Sequence, residues 1–236
     1  MPTAALRLVC FPHAGGSAVY YQPLAAALSL PIEVCAVQYP GRQDRRNEPF
    51  VDDIRVLADR TAKVLPPDGV PTIFFGHSMG ATVAFEVALR WESLGHSPIR
   101  LFVSGRRSPS ARASYQIPLA TEADVLAEIR HLNGTDNRLL ADDDILRMII
   151  PAVRNDYRAV EAYLAAPHTA VHCPTIAMCG NKDQRVSGLD IEKWRGHTNS
   201  AFAVHMFGGG HFYLEQRWQQ VAELIERHVS LESRAA

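Results

Sequence analysis

The sequence predicts an α/β fold with a mostly parallel central sheet, and three observations carry that prediction. Six short β-rich runs recur along the 236 residues. Several of them hold continuous apolar stretches, as expected of strands covered on both faces of a parallel sheet. The runs alternate with helical patterns over most of the chain, which is the order that βαβ units produce.

The strand candidates are "LRLVCF" (6–11), "EVCAVQY" (33–39), "TIFFG" (72–76), "LFVSG" (101–105), "TIAMCG" (175–180) and "AFAVHMF" (201–207). Between the second and third, Ile54, Leu57, Ala58 and Val64 recur at helical spacing within Val51–Leu65. The helix "GATVAFEVALRWESLG" follows the third run, and Leu214, Trp218, Val221, Ile225 and Val229 make an apolar stripe near the C-terminus. From about 108 to 172 no strand is predicted. Two helical patterns (122–132 and 143–164) lie there, joined by "NGTDNRLLADD". Such a stretch is too long for an ordinary crossover, so it reads as a helical insertion over one end of the sheet. The whole of 1–236 is expected to be one domain, a length that single α/β domains reach. The terminal "SLESRAA" reads as frayed.

Composition excludes some classes. Lys and Arg number 24 against 25 Asp and Glu, a net charge of −1, which argues against a broad electrostatic grip on nucleic acid. The start "MPTAALRLVC" lacks a basic region and Arg7 interrupts its apolar part, so it does not read as a secretory leader. No apolar run approaches the roughly 20 residues that a membrane span needs. Cys10, Cys35, Cys173 and Cys179 fall in or beside strand-like runs without a CxxC, as expected of reduced core residues in a cytoplasmic protein rather than a redox or metal site.

The chemistry is written in "FFGHSMGA" (74–81), where Gly76-His77-Ser78-Met79-Gly80 matches G-x-S-x-G between a strand and a helix. In that turn the serine backbone is strained and the hydroxyl projects beyond the strand end, close to a helix N-terminus. The bland alternative is that Ser78 only caps the helix. A hydroxyl nucleophile needs a base, and His211 in "FGGGHFYLE" follows the last strand candidate and a glycine run. His77 adjoins the serine, but neighbouring side chains of such an elbow point away from the hydroxyl, and His205 lies inside a strand pattern. Asp183 in "CGNKDQRV" is the acid expected to orient the imidazole, in the chain order Ser…Asp…His. Its alternative is a solvated turn aspartate paired with Lys182 or Arg185. For the oxyanion, the Met79 amide follows the nucleophile, and the loop "CFPHAGG" (10–16) supplies a second donor, Ala14 ahead of Gly15. That loop has no GxGxxG and no Lys-Ser/Thr pair, so a phosphate cradle is a weak reading.

With these pieces assembled, the chain resembles the type II thioesterases of polyketide and nonribosomal peptide biosynthesis, members of the α/β-hydrolase superfamily. The resemblance rests on "FPHAGG" (11–16), "VQYPGRQDR" (37–45), "GHSMGA" (76–81), "VSGRRSP" (103–109), "GNKDQRV" (180–186) and "GGGHFYL" (208–214). Asn181 is a mild departure, since relatives often carry another acid there. The resemblance implies an α/β-hydrolase fold whose insertion is a lid, with "NGTD…LL" at 133–140 as a lid element. It implies hydrolysis of acyl thioesters on the phosphopantetheine arm of an acyl or peptidyl carrier protein; a monomer without metal or cofactor is expected, although the sequence is silent on oligomeric state. The nearest rivals are an acyl-CoA thioesterase, a lipase or carboxylesterase, an acyltransferase, and a non-catalytic acyl-binding protein. Ile145, Met148, Ile149, Val153 and Tyr157 of the insertion either line an acyl channel or pack onto the sheet, and packing is the preferred reading. Arg42, Arg45, Arg46, Arg106 and Arg107 either meet an acidic carrier protein or the arm's phosphate, or are simply solvated.

Overall fold

The structure is a computed structural model that describes residues 6–112, 121–132 and 143–230, with side chains for 146–229 in the last segment. Six strands form one sheet: β1 (Leu6–Phe11), β2 (Ile32–Ala36), β3 (Thr72–His77), β4 (Arg100–Ser104), β5 (Thr175–Gly180) and β6 (Phe202–Phe207). Their order is β2-β1-β3-β4-β5-β6, and every pairing is parallel. The helices are α1 (Gln22–Ala27), α2 (Ile54–Val64), α3 (Met79–Ser93), α4 (Glu122–Leu132), α5 (Asp143–Ala162), α6 (Gly188–Glu192) and α7 (Trp218–Ser230). This is the α/β-hydrolase arrangement that the resemblance implies.

Period-two alternation sorts the strand side chains onto two faces. Val9, Phe11 and Phe74 pack with α2 and α3 around Leu57, Phe85 and Trp91. Leu8, Cys10, Ile73 and Phe75 pack with α1 and α7 around Leu24, Val221 and Ile225. β3 and β4 are buried along their whole length, whereas the edge strands β2 and β6 are only partly covered. That difference explains the continuous apolar stretches at 73–75 and 101–103 of the central runs.

Three sequence boundaries shift, each for a local reason. The second strand stops at Ala36 rather than residue 39, because the chain turns at Pro40 and at Gly41, whose φ is +84°. α2 starts at Ile54, where the Asp53 carboxylate caps the amides of Arg55 and Val56. Its buried face is Ile54, Leu57, Ala58 and Thr61. Val64 is 81% exposed at the last residue of the helix, about 20° beyond Leu57 at the margin of that stripe. Helix α7 begins at Trp218, while Leu214 sits in a preceding 3-10 turn yet is fully buried in the same apolar layer. α1 and α6 are short and had no predicted counterpart.

Between β4 and β5 the described residues hold α4 and α5 but no strand, apart from a single bridge of Val171 to Thr198. The "NGTD…LL" element at 133–140, Ile145 as a side chain, and the terminal 231–236 lie outside the described residues. α4 and α5 share a small core of their own, with Val125 and Ile129 against Ile150 and Val153. Their preferred packing onto the sheet is therefore corrected: these apolar faces meet each other first. The turns leaving β1 and β3 diverge at the point where the strand order reverses, which opens a crevice at the carboxyl ends of the sheet.

Candidate active site

Ser78 stands in that crevice, between the end of β3 and the start of α3. Its backbone is at φ 54° and ψ −119°, a region that costs an L-residue on the order of 1–3 kcal/mol. Its amide donates to the Ser104 carbonyl at 2.7 Å and its carbonyl accepts from Ala81 at 3.0 Å, so the turn is held from both sides. The capping alternative fails on geometry. Ser78 occupies the N-cap position of α3, but its side chain makes no cap hydrogen bond. The hydroxyl instead lies 3.1 Å from Nε2 of His211.

His211 is carried there by the glycine run after β6, and only 7% of it is exposed. Its Nδ1 lies 2.8 Å from Oδ2 of Asp183. A carboxylate only accepts, so Nδ1 carries the proton and Nε2 presents its lone pair to the serine hydroxyl. The Asp183 side chain is fully buried. Its second oxygen accepts from the amides of Arg185 at 2.8 Å and Val186 at 3.2 Å. The alternative of a solvated turn aspartate does not hold, because that side chain is fully buried, and the Arg185 guanidinium pairs with Glu128 on α4. Asn181 accepts from the Gly209 amide at 3.2 Å and so ties the aspartate loop to the histidine loop.

Two further histidines crowd the site without facing the hydroxyl. The His77 ring is fully buried and bonds Ser104 at 2.9 Å, which bonds the Tyr213 hydroxyl at 2.8 Å. Burial, reinforced by the neighbouring His211 and His13, pushes its pKa well below the ordinary histidine value. Burial likewise pushes His13 down to about 3, with His211 and Arg42 adding to the effect. Both rings are neutral at physiological pH. His205 lies in β6, away from the three-residue chain, as expected.

The candidate oxyanion donors come from the two diverging turns. The loop after β1 is anchored by two buried tyrosines, Tyr21 donating to the Phe11 carbonyl at 2.8 Å and Tyr39 to the Pro12 carbonyl at 3.3 Å. Within it the Gly16 amide donates to His13 and the Gly15 amide to Asp156. Ala14, the expected donor of this turn, lines the same cavity as Ser78. A cavity of about 90 Å³ adjoins Ser78, with Ala14 and His211 at its base and Ile129, Leu132, Ile149 and Val153 above. Ile149, Val153 and Tyr157 thus line a chamber over the serine, while Met148 is 63% exposed and points elsewhere. A second cleft of about 80 Å³ reaches Ser78 from the side of Arg106, Arg107 and Arg185.

The arginines predicted to face outward divide. Arg42 is buried and paired with Asp156, a carboxylate that no sequence pattern marks. Arg45 holds Glu48 through two bonds of 2.7 and 2.6 Å. Arg106 donates to the Val160 carbonyl at 3.0 Å, and burial lowers its pKa. Among the described residues no group of three or more His, Cys, Asp or Glu side chains is arranged to hold a metal ion, and no helix is long and apolar enough to cross a membrane.

Comparison with known proteins places this architecture. The family model described as "Thioesterase domain" matches residues 6–229. Over 218 residues the chain is 46% identical to the "Probable cadicidin biosynthesis thioesterase" of Streptomyces griseus, covering 92% of this chain and 60% of that protein. It is 43% identical over 232 residues to "Thioesterase PikA5" of Streptomyces venezuelae, covering 97% of this chain and 82% of that one. Among solved structures, the type II thioesterase BorB from the borrelidin biosynthetic cluster matches with a TM-score of 0.88 at 44% identity, over 97% of this chain and 94% of that chain. The chain belongs to the thioesterase family, and its domain is that of a thioester hydrolase.

Proposed function

We propose that this protein is a type II editing thioesterase. It hydrolyses aberrant or stalled acyl thioesters from the phosphopantetheine arm of acyl or peptidyl carrier proteins in polyketide or nonribosomal peptide synthesis. The observation that carries the reading is the hydrogen-bonded chain from Ser78 through His211 to Asp183, ending at an apolar chamber. The names of the relatives supply the substrate class.

In this reading Ser78 attacks the thioester carbonyl as His211 takes its proton, and Asp183 stabilises the imidazolium. The Ala14 and Met79 amides hold the tetrahedral oxyanion. The arm departs as a thiol, and a water activated by His211 then releases the free acid and regenerates Ser78. No cofactor or metal is needed for any step. The apolar chamber suits a short acyl group, and the cleft beside Arg107 suits the arm and its phosphate. We assign α4 and α5 the role of a lid, within a single domain that acts as a cytoplasmic monomer.

The test is intact-mass spectrometry of a panel of acylated carrier proteins with the wild-type enzyme and Ser78→Ala. Wild type should strip the acyl group while the variant leaves it in place. Matched thioester and oxygen-ester substrates separate this reading from a carboxylesterase. Preference for the oxygen ester, or turnover surviving in Ser78→Ala, would refute it.

A further inference from the structure

Asp156 is a buried carboxylate that the triad does not use. It lies on α5 with 2% of its surface exposed. Its Oδ2 accepts from the Gly15 amide at 2.8 Å and from the guanidinium of Arg42, which is 8% exposed. Arg42 in turn donates to the Pro40 carbonyl at 2.8 Å and lies over the Tyr39 ring at 5.3 Å. The Tyr39 hydroxyl holds the Pro12 carbonyl. One carboxylate on the helical insertion therefore gathers the loops that leave β1 and β2.

The contact on the β1 loop is tight. Gly15 has φ +74°, and a Cβ placed there would come 2.3 Å from Cγ2 of Val153, one helical turn before Asp156. Val153 presses on the loop while Asp156 draws in its amide, and both belong to α5. The Gly15 N–H lies in the Ala14–Gly15 peptide and the Ala14 N–H in the peptide before it, so anchoring the first plane constrains the second only through the φ and ψ of Ala14. A charge-assisted bond from a buried carboxylate orients an amide more strongly than a neutral acceptor does. The bond also withdraws the Gly15 amide from the oxyanion.

Stability alone is a poor account of the pair. A buried ion pair is often matched or bettered by apolar residues of similar volume. We propose that Asp156 is a positioning residue for the oxyanion site. Through the Gly15 amide it sets the 13–16 turn so that the Ala14 N–H meets the developing oxyanion, and because it rides on α5 the alignment depends on the seat of the helical insertion. Arg42 compensates the charge that this function buries. The inference rests on the serine-hydrolase reading above and adds a residue that acts through the backbone rather than on substrate.

The experiment compares Asp156→Ala, Asp156→Asn and the apolar pair Arg42→Met/Asp156→Leu with wild type. Four quantities are read: kcat and KM on an acyl thioester, the affinity of a trifluoromethyl ketone that mimics the tetrahedral adduct, the affinity of a non-hydrolysable thioether analogue, and Tm. Asp156→Ala should lower kcat by about 10- to 100-fold with KM nearly unchanged. Affinity for the ketone should fall in proportion, and affinity for the thioether should hold. Asp156→Asn keeps an oxygen for the Gly15 amide and should recover most of kcat. If Asp156→Ala does not fold, the apolar pair serves instead: it should regain Tm but not kcat. The inference is overturned if folded Asp156→Ala or the apolar pair keeps wild-type kcat and ketone affinity, or if ketone and thioether weaken equally. Wild-type protein with no thioesterase activity would overturn the parent reading and this one together, so the two failures are distinguishable.

Discussion

Replacing Gly80 by alanine sets a helix preference against a backbone contact, and the structure decides which wins. Gly80 is the second residue of α3, and a Cβ there would lie 1.9 Å from the carbonyl oxygen of Phe11 at the end of β1. Carbon and oxygen rest at roughly 3.3 Å or more, so the two backbones must part by about 1.4 Å. The obstacle is main chain, held in register by the pairing of Phe11 with Gly76, and has no flexible end to swing aside. Alanine gains about 1 kcal/mol of helix propensity over glycine. Overpacking costs about 1–3 kcal/mol and more where nothing can yield, so a net loss of about 2 kcal/mol is expected. The catalytic effect should be larger than the stability effect. α3 carries Ser78 and Met79 at its start, so its displacement moves the nucleophile and one donor away from Ala14 and His211. A misplacement of about 1 Å costs on the order of 100-fold in rate. Urea unfolding read by tryptophan fluorescence gives the first quantity, and steady-state thioester hydrolysis gives the second. A variant at least as stable as wild type with kcat within about threefold would refute the reasoning, because the close approach would then constrain nothing.

Two other perturbations test different parts of the site. Asp183→Asn should lower kcat by about 10³- to 10⁴-fold with the fold intact, because an amide lets the imidazole settle in the wrong tautomer. A loss below tenfold in steady-state hydrolysis would remove Asp183 from the mechanism. Stability should also fall with acid. The folded pKa of His13 is about 3, below the unfolded value near 6.5, so the unfolded chain binds the proton first. The stability is complete above pH 6.5 and is lost as pH falls from there toward 3, by about 2 kcal/mol at pH 5. His77 shifts in the same direction and adds to the slope. Urea midpoints that stay flat from pH 7 to 5, or a slope unchanged in His13→Gln, would contradict this.

What the sequence determined by itself is local. Burial of both faces of β3 and β4 shows as the apolar stretches 73–75 and 101–103, so the central strands can be read directly, with the buried Thr72, His77, Arg100 and Ser104 at their ends. The elbow at Ser78 demands small residues around a strained turn, and that need shows as G-x-S-x-G. His211 and Asp183 were legible because each follows a strand run, and chain order supplied their relation to the serine. Edge strands and short helices were read less well: β2 is only partly covered, so its composition does not mark where pairing stops at Ala36. What only the tertiary structure decided is which polar groups face one another across the chain. Arg42 and Asp156 are 114 residues apart, and nothing local distinguishes a buried arginine from the solvated Arg46 nearby. The same holds for the two amides of Gly15 and Ala14, adjacent in sequence, of which one is engaged by α5. Burial and pairing are properties of the assembled loops, and a pattern of residue types carries no record of which distant element closes over them.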